Sequence, residues 1–222
     1  MFRSCTTTQY LKSLVERQSF NKSGNSSTTH IFKRQQMATD AFKITIHMVS
    51  SLDGYIAKRD NSVSWFDTSD DYEKGVSGQN PEEFLKTIDC YIMGSRTYEH
   101  ALELSKLYGW AYGDKPTIVV TKRNLPVDRQ NIEFYSGDLD KLVNERLQPN
   151  YKNVWLVGGT MLTKEFIRLN LADEIRKTIL PILLGDGTPF FDESGKEQAL
   201  HLKDVIAYKN GMVELCYEVK NN

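Results

Sequence analysis

Two stretches of this chain, CYIMGSRTYEHALEL (90–104) and VWLVGGTMLTKEFI (154–167), share an arrangement suited to gripping phosphate. In each, a run of strand formers ends in glycine or small residues and passes straight into a segment with helical spacing. The first N–H groups of a helix have no partner inside it, and its dipole leaves that end partly positive, so such a junction attracts an anion. Arg96 and the Thr97 hydroxyl add a cation and a donor at the first junction, while Gly158 and Gly159 give close access to the backbone at the second. Either junction alone could serve tight packing only; together they could hold the two ends of one dinucleotide. A third stretch, TIVVTKRNLP, ends an apolar run in Thr121, Lys122 and Arg123. Hydroxyl and cations at a strand's carboxyl end suit an adenosine ribose with a 2′-phosphate, hence NADPH, although the same residues would also make a solvated turn. No GxGxxG links a strand to a helix, so the Rossmann fingerprint is absent.

The fourth stretch, KITIHMVSSLDGYIAKRDNSVSWF, offers a place for a flat ring. Ser50 and Ser51 are small residues at a strand end, Asp53-Gly54 makes a sharp turn, and Trp65 and Phe66 supply aromatic surface. The acids Asp67, Asp70, Asp71 and Glu73 follow, and one carboxylate beside an aromatic wall could bind or protonate a nitrogen heterocycle. Such a run also suits a solvated helix start. Asp71 and Asp53 are the candidate catalytic acids. His30, His47, His100 and His201 are scattered, with no HExxH and no Cys/His cluster, so they read as isolated surface or half-buried imidazoles and no metal site is expected.

These pieces need a scaffold that brings strand ends together. From Phe42 onward, strand and helix signals alternate, which predicts an α/β sheet with helices on its faces. Strands are expected at 43–50, 90–94, 117–121, 132–135, 154–157 and 174–181, and helices at 82–87, 97–107, 139–147 and 161–170. Asn210-Gly211 between 201–208 and 212–219 predicts a C-terminal hairpin, because this pair tolerates the positive φ angles of a tight turn.

The 222 residues are 40% hydrophobic and 26% charged, the make-up of a globular protein with one domain and a tail. A net charge of −1 gives no field for gathering nucleic acid or an anionic membrane, and no apolar run nears the roughly 20 residues of a spanning helix. A small-molecule partner is expected. Three well-separated cysteines, Cys5, Cys90 and Cys216, suit a reducing compartment. Residues 1–41 read as a disordered or targeting extension ahead of a domain at 42–222. Up to Gln36 this segment carries Arg3, Lys12, Arg17, Lys22, Lys33 and Arg34 against Glu16 alone. The expected location is cytoplasmic, or mitochondrial if that segment is a transit peptide.

Taken in order, SLDGYIA, IMGSRTYE, TIVVTKR, VWLVGGTML and ILPILLGDGTPFF resemble the dihydrofolate-reductase-like superfamily. Within it the chain looks most like the reductase domain of the riboflavin-pathway bifunctional deaminase-reductase and its stand-alone relatives. The resemblance spans about Phe42 to Val219 and implies a mixed, mostly parallel sheet flanked by helices, a homodimer and an NADPH site. It would place Val49 and Ser50 near the nicotinamide, and Gly94, Ser95, Arg96 and Thr97 around the phosphates. Thr121 and Lys122 would face the adenosine ribose and its 2′-phosphate, and Gly158, Gly159, Thr160, Met161 and Leu162 would wrap the pyrophosphate and nicotinamide side. The substrate would lie in a cleft bordered by Asp53, Trp65 and Tyr98. The implied activity is NADPH-dependent reduction of a small heterocyclic or ribosylaminopyrimidine-like substrate; the alternative is a noncatalytic NADPH-binding or sensor protein. The chain departs from the riboflavin pattern at Val157, where that motif has an acid, and in lacking an arginine soon after the SRT turn. The zinc motif of the deaminase is also missing, so the resemblance is to the reductase unit alone.

Overall fold

A computed structural model of the chain describes residues 42–66, 82–127, 129–193, 195–208 and 211–220. The N-terminal segment 1–41, the acids Asp67, Asp70, Asp71 and Glu73, and Asn210 lie outside these described residues.

Among the described residues, ten strands and four helices follow one another. The strands are β1 (Lys43–Ser51), β2 (Tyr55–Ala57), β3 (Cys90–Gly94), β4 (Thr117–Val120), β5 (Ile132–Tyr135), β6 (Asn153–Gly158), β7 (Glu174–Leu180), β8 (Thr188–Pro189), β9 (Leu200–Ala207) and β10 (Val213–Val219). The helices are α1 (Glu82–Thr87), α2 (Ser95–Tyr108), α3 (Leu139–Lys141, continued by a π-helical turn over Leu142–Leu147) and α4 (Thr160–Arg168). Eight strands form one sheet in the order β5-β4-β3-β6-β1-β7-β10-β9. Neighbours run parallel from β5 through β7, and β10 and β9 close the sheet antiparallel.

This mixed, mostly parallel sheet with its C-terminal hairpin is the class expected from the sequence. β1, β3 and β6 are almost wholly buried, as parallel strands covered on both faces must be. On one face Ile44, Ile46, Cys90, Ile92, Val154 and Leu156 meet Leu142, Leu147, Phe166 and Ile167 of α3 and α4. On the other, Tyr91, Met93, Trp155 and Val157 pack with Phe84 and Leu85 of α1 and Tyr98 and Ala101 of α2. Alternate residues of each strand thus feed opposite cores. At the hairpin, Gly211 has φ +83.

Strand and helix limits differ from the sequence expectation by one or two residues, as fraying ends do. β2 and β8 were not expected. Among the described residues they pair only with each other, over three and two residues, too short for an alternating pattern, and Pro189 occupies an edge position.

Candidate functional site

β1 changes partners part-way along. It pairs with β6 over Lys43 to Ile46 and with β7 over Thr45 to Ser51. From His47 onward its β6 side has no ladder, and the two strands part. β6 meanwhile leans on β3, with a bulge that sets Met93 opposite Gly158. A crevice at the carboxyl ends of diverging parallel strands is where open α/β sheets bind ligands. Here it widens into a cleft of about 930 Å³.

Two helices begin at its rim. β3 runs through Gly94 into α2, and β6 runs through Gly158 and Gly159 into α4. Among the described residues neither helix has a side-chain cap at its N-terminus, which leaves the first N–H groups of both open to a ligand. Gly94, Ser95, Arg96 and Thr97 line the cleft at one helix, and Gly159, Thr160, Met161 and Leu162 at the other. The junctions expected to grip phosphate therefore face a single cleft. Backbone space there is narrow: a Cβ at Gly159 would stand 3.3 Å from Thr97 Oγ1. Gly158 has φ +119, and a Cβ on it would sit 2.6 Å from Met48 Sδ. The Gly158–Gly159 peptide bond is cis. Thr160 Oγ1 donates to Pro189 O at 2.5 Å, tying the start of α4 to β8.

Other expected site residues lie elsewhere. Val49 lines the cleft, but Ser50, the next residue of an extended strand, points to the opposite face, fully buried. Thr121 and Lys122 follow β4 beside the Gly94 junction without forming the cleft wall; Lys122 is exposed, and Thr121 Oγ1 accepts from Arg123 N at 3.0 Å. The Arg123 guanidinium is engaged by Glu99 at 2.6 and 2.8 Å.

Of the residues expected at the substrate border, Asp53, Trp65 and Tyr98, none lines this cleft. Asp53 instead organises a loop. Its carboxylate accepts from the N–H groups of Leu184 and Gly185, the latter at 2.7 Å, and from Ser51 Oγ. Burial raises its pKa slightly, and these hydrogen bonds bring it below the usual carboxylate range. Trp65 is buried among Val49, Leu180 and Ile206. Tyr98 is fully buried in the core beneath α2, with its hydroxyl donating to Pro126 O at 2.7 Å. Its place on the inward face of an amphipathic helix explains this: with about 3.6 residues per turn, a helix that starts at the rim carries part of its first turn away from the ligand. Asp71 lies outside the described residues.

His47 is the residue that sequence reasoning missed. It lines the inner cleft with Val49, Val63, Phe66, Tyr112, Trp155 and Val157. Its ring stacks on Trp155 with centroids 5.1 Å apart, and its Nε2 lies 3.1 Å from Thr178 Oγ1. Burial, aided by the Arg176 charge and opposed by Glu174, lowers its pKa to about 3, so the ring is neutral. No local pattern marks this histidine. Its partners arrive from β7 and β10, far along the chain.

Residues 42–214 match the RibD C-terminal domain family. The chain belongs to that family. It is 32% identical over 161 residues to a protein of Bacillus subtilis (strain 168) known as uncharacterized protein YwjB, covering 72% of this chain and 89% of that one. The crystal structure of a putative riboflavin biosynthesis protein from Shewanella sp. PV-4 superposes with a TM-score of 0.68 at 21% identity, covering 81% of this chain and all of that one. Dihydrofolate reductase from Enterococcus faecalis, complexed with NADP(H), superposes with a TM-score of 0.50 at 19% identity, covering 81% and 97%. The fold of this RibD C-terminal domain is dihydrofolate-reductase-like. Among the described residues no helix is long and apolar enough to cross a membrane.

Proposed function

We propose that this RibD C-terminal domain is a reductase that binds NADPH across the carboxyl ends of β1, β3 and β6 and reduces a small heterocyclic acceptor, ribosylaminopyrimidine-like in shape. The observation that carries the reading is the meeting of two uncapped helix N-termini at one cleft, with Gly158 and Gly159 where the backbone must come closest. That geometry fits a pyrophosphate-bridged ligand. A Cβ at Gly159 would enter the space the phosphates need, and Arg96 stands exposed on the first turn of α2.

When bound, NADPH supplies the hydride, and the protein's part is placement and exclusion of water. N–H groups at the starts of α2 and α4 would hold the phosphates, with Arg96 and Thr97 beside them. Lys122, at the end of β4, would reach the 2′-phosphate. Val49 and Val157 would give the nicotinamide an apolar bed, and Trp155, Phe66 and Tyr112 would wall the acceptor off from solvent. The family resemblance also carries a homodimer; exposed Leu200, Leu202 and Val205 on edge strand β9 support it.

Fluorescence titration with NADPH and NADH, followed by acceptor-dependent oxidation at 340 nm as an absorbance assay of roughly standard design, tests the proposal. Saturable binding that favours NADPH, with oxidation only when an acceptor is present, is expected. Binding without oxidation by any pterin or aminopyrimidine acceptor would leave a noncatalytic NADPH-binding protein. No binding of either cofactor would remove the reductase reading.

A further inference from the structure

Helix α2 walls the cleft along much of its length, and the charge it presents changes sign on the way. Arg96, Glu99, His100, Glu103 and Leu104 all line the cleft, and helical spacing puts them on one broad stripe, while Tyr98 turns to the core. Because β3 and β4 are parallel neighbours joined through α2, the helix runs back along β3 from the carboxyl end of that strand. From Gly94 back to Tyr91 the strand covers about 10 Å, and from Ser95 to Glu103 the helix covers about 12 Å. Glu103 and Leu104 therefore stand level with Tyr91, with its β6 partner Trp155, and with Tyr112, whose ring lies 5.0 Å from that of Tyr91. That is the end of the cleft away from the two helix starts.

The charges on the wall divide accordingly. Of the described residues lining the cleft, only Arg96 is a lysine or arginine, and it sits on the first turn of α2, at the phosphate end. Glu99 is engaged by Arg123, and Asp192 of the far wall by Lys164. Glu103 is exposed and has no ion pair among the described residues. Burial lowers the pKa of His100 and the Glu103 charge only partly opposes this, so the imidazole adds no full positive charge beside it at neutral pH. Arg96 is seven residues back along the helix, about 10 Å and so roughly one Debye length away. A phosphate at the Trp155 end would face the Glu103 carboxylate with that cation largely screened.

We infer that Glu103 sets the charge class of the acceptor: the heterocycle reduced here carries no phosphate, and its tail offers hydroxyl or amino donors, as a ribosylated base does without its 5′-phosphate. The inference rests on reading the Trp155 end of the cleft as the acceptor end of the proposed reductase site. A carboxylate accepts hydrogen bonds from such donors and repels a phosphate dianion, so one side chain both favours the nucleoside and rejects the nucleotide.

Calorimetry on the full chain, in saturating NADP⁺ so that the phosphate sites are filled and no hydride is available, compares 5-aminouridine with 5-aminouridine 5′-monophosphate. The nucleoside should bind about tenfold more tightly, and the gap should narrow as salt is raised. Glu103→Gln should close most of the gap, and Glu103→Arg should make the monophosphate the tighter ligand. The side chain is exposed, so both variants should keep the urea midpoint of the unaltered protein. Glu145→Gln makes the same change in net charge on the π-helical turn packed against the opposite face of the sheet, and should leave the gap intact. A monophosphate that binds the unaltered protein as tightly as the nucleoside, binding of neither probe, or a gap that survives Glu103→Gln would overturn the inference. Titration with NADP⁺ and NADPH alone reports on the cofactor separately. Should neither bind, the cofactor reading falls, and a Glu103-dependent preference between the probes, measured on the cofactor-free chain, still decides the inference.

Discussion

Lowering the pH should unfold this protein through His47 before its carboxylates begin to matter. The imidazole is surrounded by Thr178, Arg176 and Glu174 of β7, Glu214 of β10, Trp155 of β6 and Phe84 of α1. Burial first, and Arg176 second, bring its pKa from 6.5 to about 3. Because the folded pKa lies below the unfolded one, the unfolded chain binds more protons between these limits. The contribution to stability is complete above pH 6.5 and is lost as pH falls towards 3. At about 1.4 kcal/mol per pH unit, the loss reaches ~3 kcal/mol by about pH 4.5 and ~5 kcal/mol below about pH 3. Glu214, raised by burial, works in the opposite sense. The quantity to follow is therefore the difference between the unaltered protein and His47→Gln, in which Glu214 remains. Urea unfolding at closely spaced pH values would give it. A free-energy difference that changes by ~3 kcal/mol between about pH 7 and pH 4.5 is expected, the unaltered protein losing ground. Parallel curves for the two proteins would refute a neutral, desolvated His47.

The two adjoining glycines should fail differently. Gly158→Ala combines φ +119 with a Cβ 2.6 Å from Met48 Sδ, and should cost about 2–5 kcal/mol, read as a fall in urea midpoint. Gly159→Ala meets only Thr97 Oγ1 at 3.3 Å, so stability should change by less than about 1 kcal/mol while NADPH affinity drops at least about tenfold in fluorescence titration. Lys122→Ala should weaken NADPH by roughly tenfold and leave NADH nearly unchanged, and equal losses would take Lys122 away from the 2′-phosphate. Asp53→Ala removes the acceptor for the Leu184 and Gly185 N–H groups, and should lower stability by about 1–3 kcal/mol without altering NADPH affinity. A change in affinity at unchanged stability would return Asp53 to the cleft.

What could be read from the sequence was whatever local spacing controls. Glycine at a strand-to-helix junction announces itself, so Gly94 and Gly159 were named with the helices that follow them. Strands such as β3 and β5 showed as short apolar runs rich in β-branched and aromatic residues. What could not be read was facing. Ser50 and Tyr98 were placed at the ligand because their neighbours were, yet a strand alternates and a helix turns, and each residue ended on the buried side. His47 failed for a different reason. Thr178 and Glu214 lie 131 and 167 positions further along the chain, at 178 and 214, so only the sheet order brings the three into contact. An isolated histidine in a strand carries no sign of that meeting.

The buried charges on this face argue further for a role in ordering hydrogen bonds. An ion pair such as Arg176–Glu214 gives up solvation that its attraction only partly returns, and well-packed apolar residues often hold a core as firmly. Glu174 adds a second buried carboxylate with three cations around it: burial raises its pKa, but the Lys203 hydrogen bond and the charges of Lys43, Lys203 and Arg176 bring it down to about 2. Packing alone does not call for such a cluster. Its consequence is directional. Glu174 and Glu214 fix the guanidinium of Arg176, and Glu214 in turn holds Thr178, the residue whose hydroxyl meets the His47 ring. Removal of any one link should leave a buried charge or an unpaired acceptor beside the imidazole. On this account the charged face of β7 and β10 holds the edge of the His47 ring in place at the cleft wall, and the sheet order, with β1 between β6 and β7, is what lets it do so from outside the cleft.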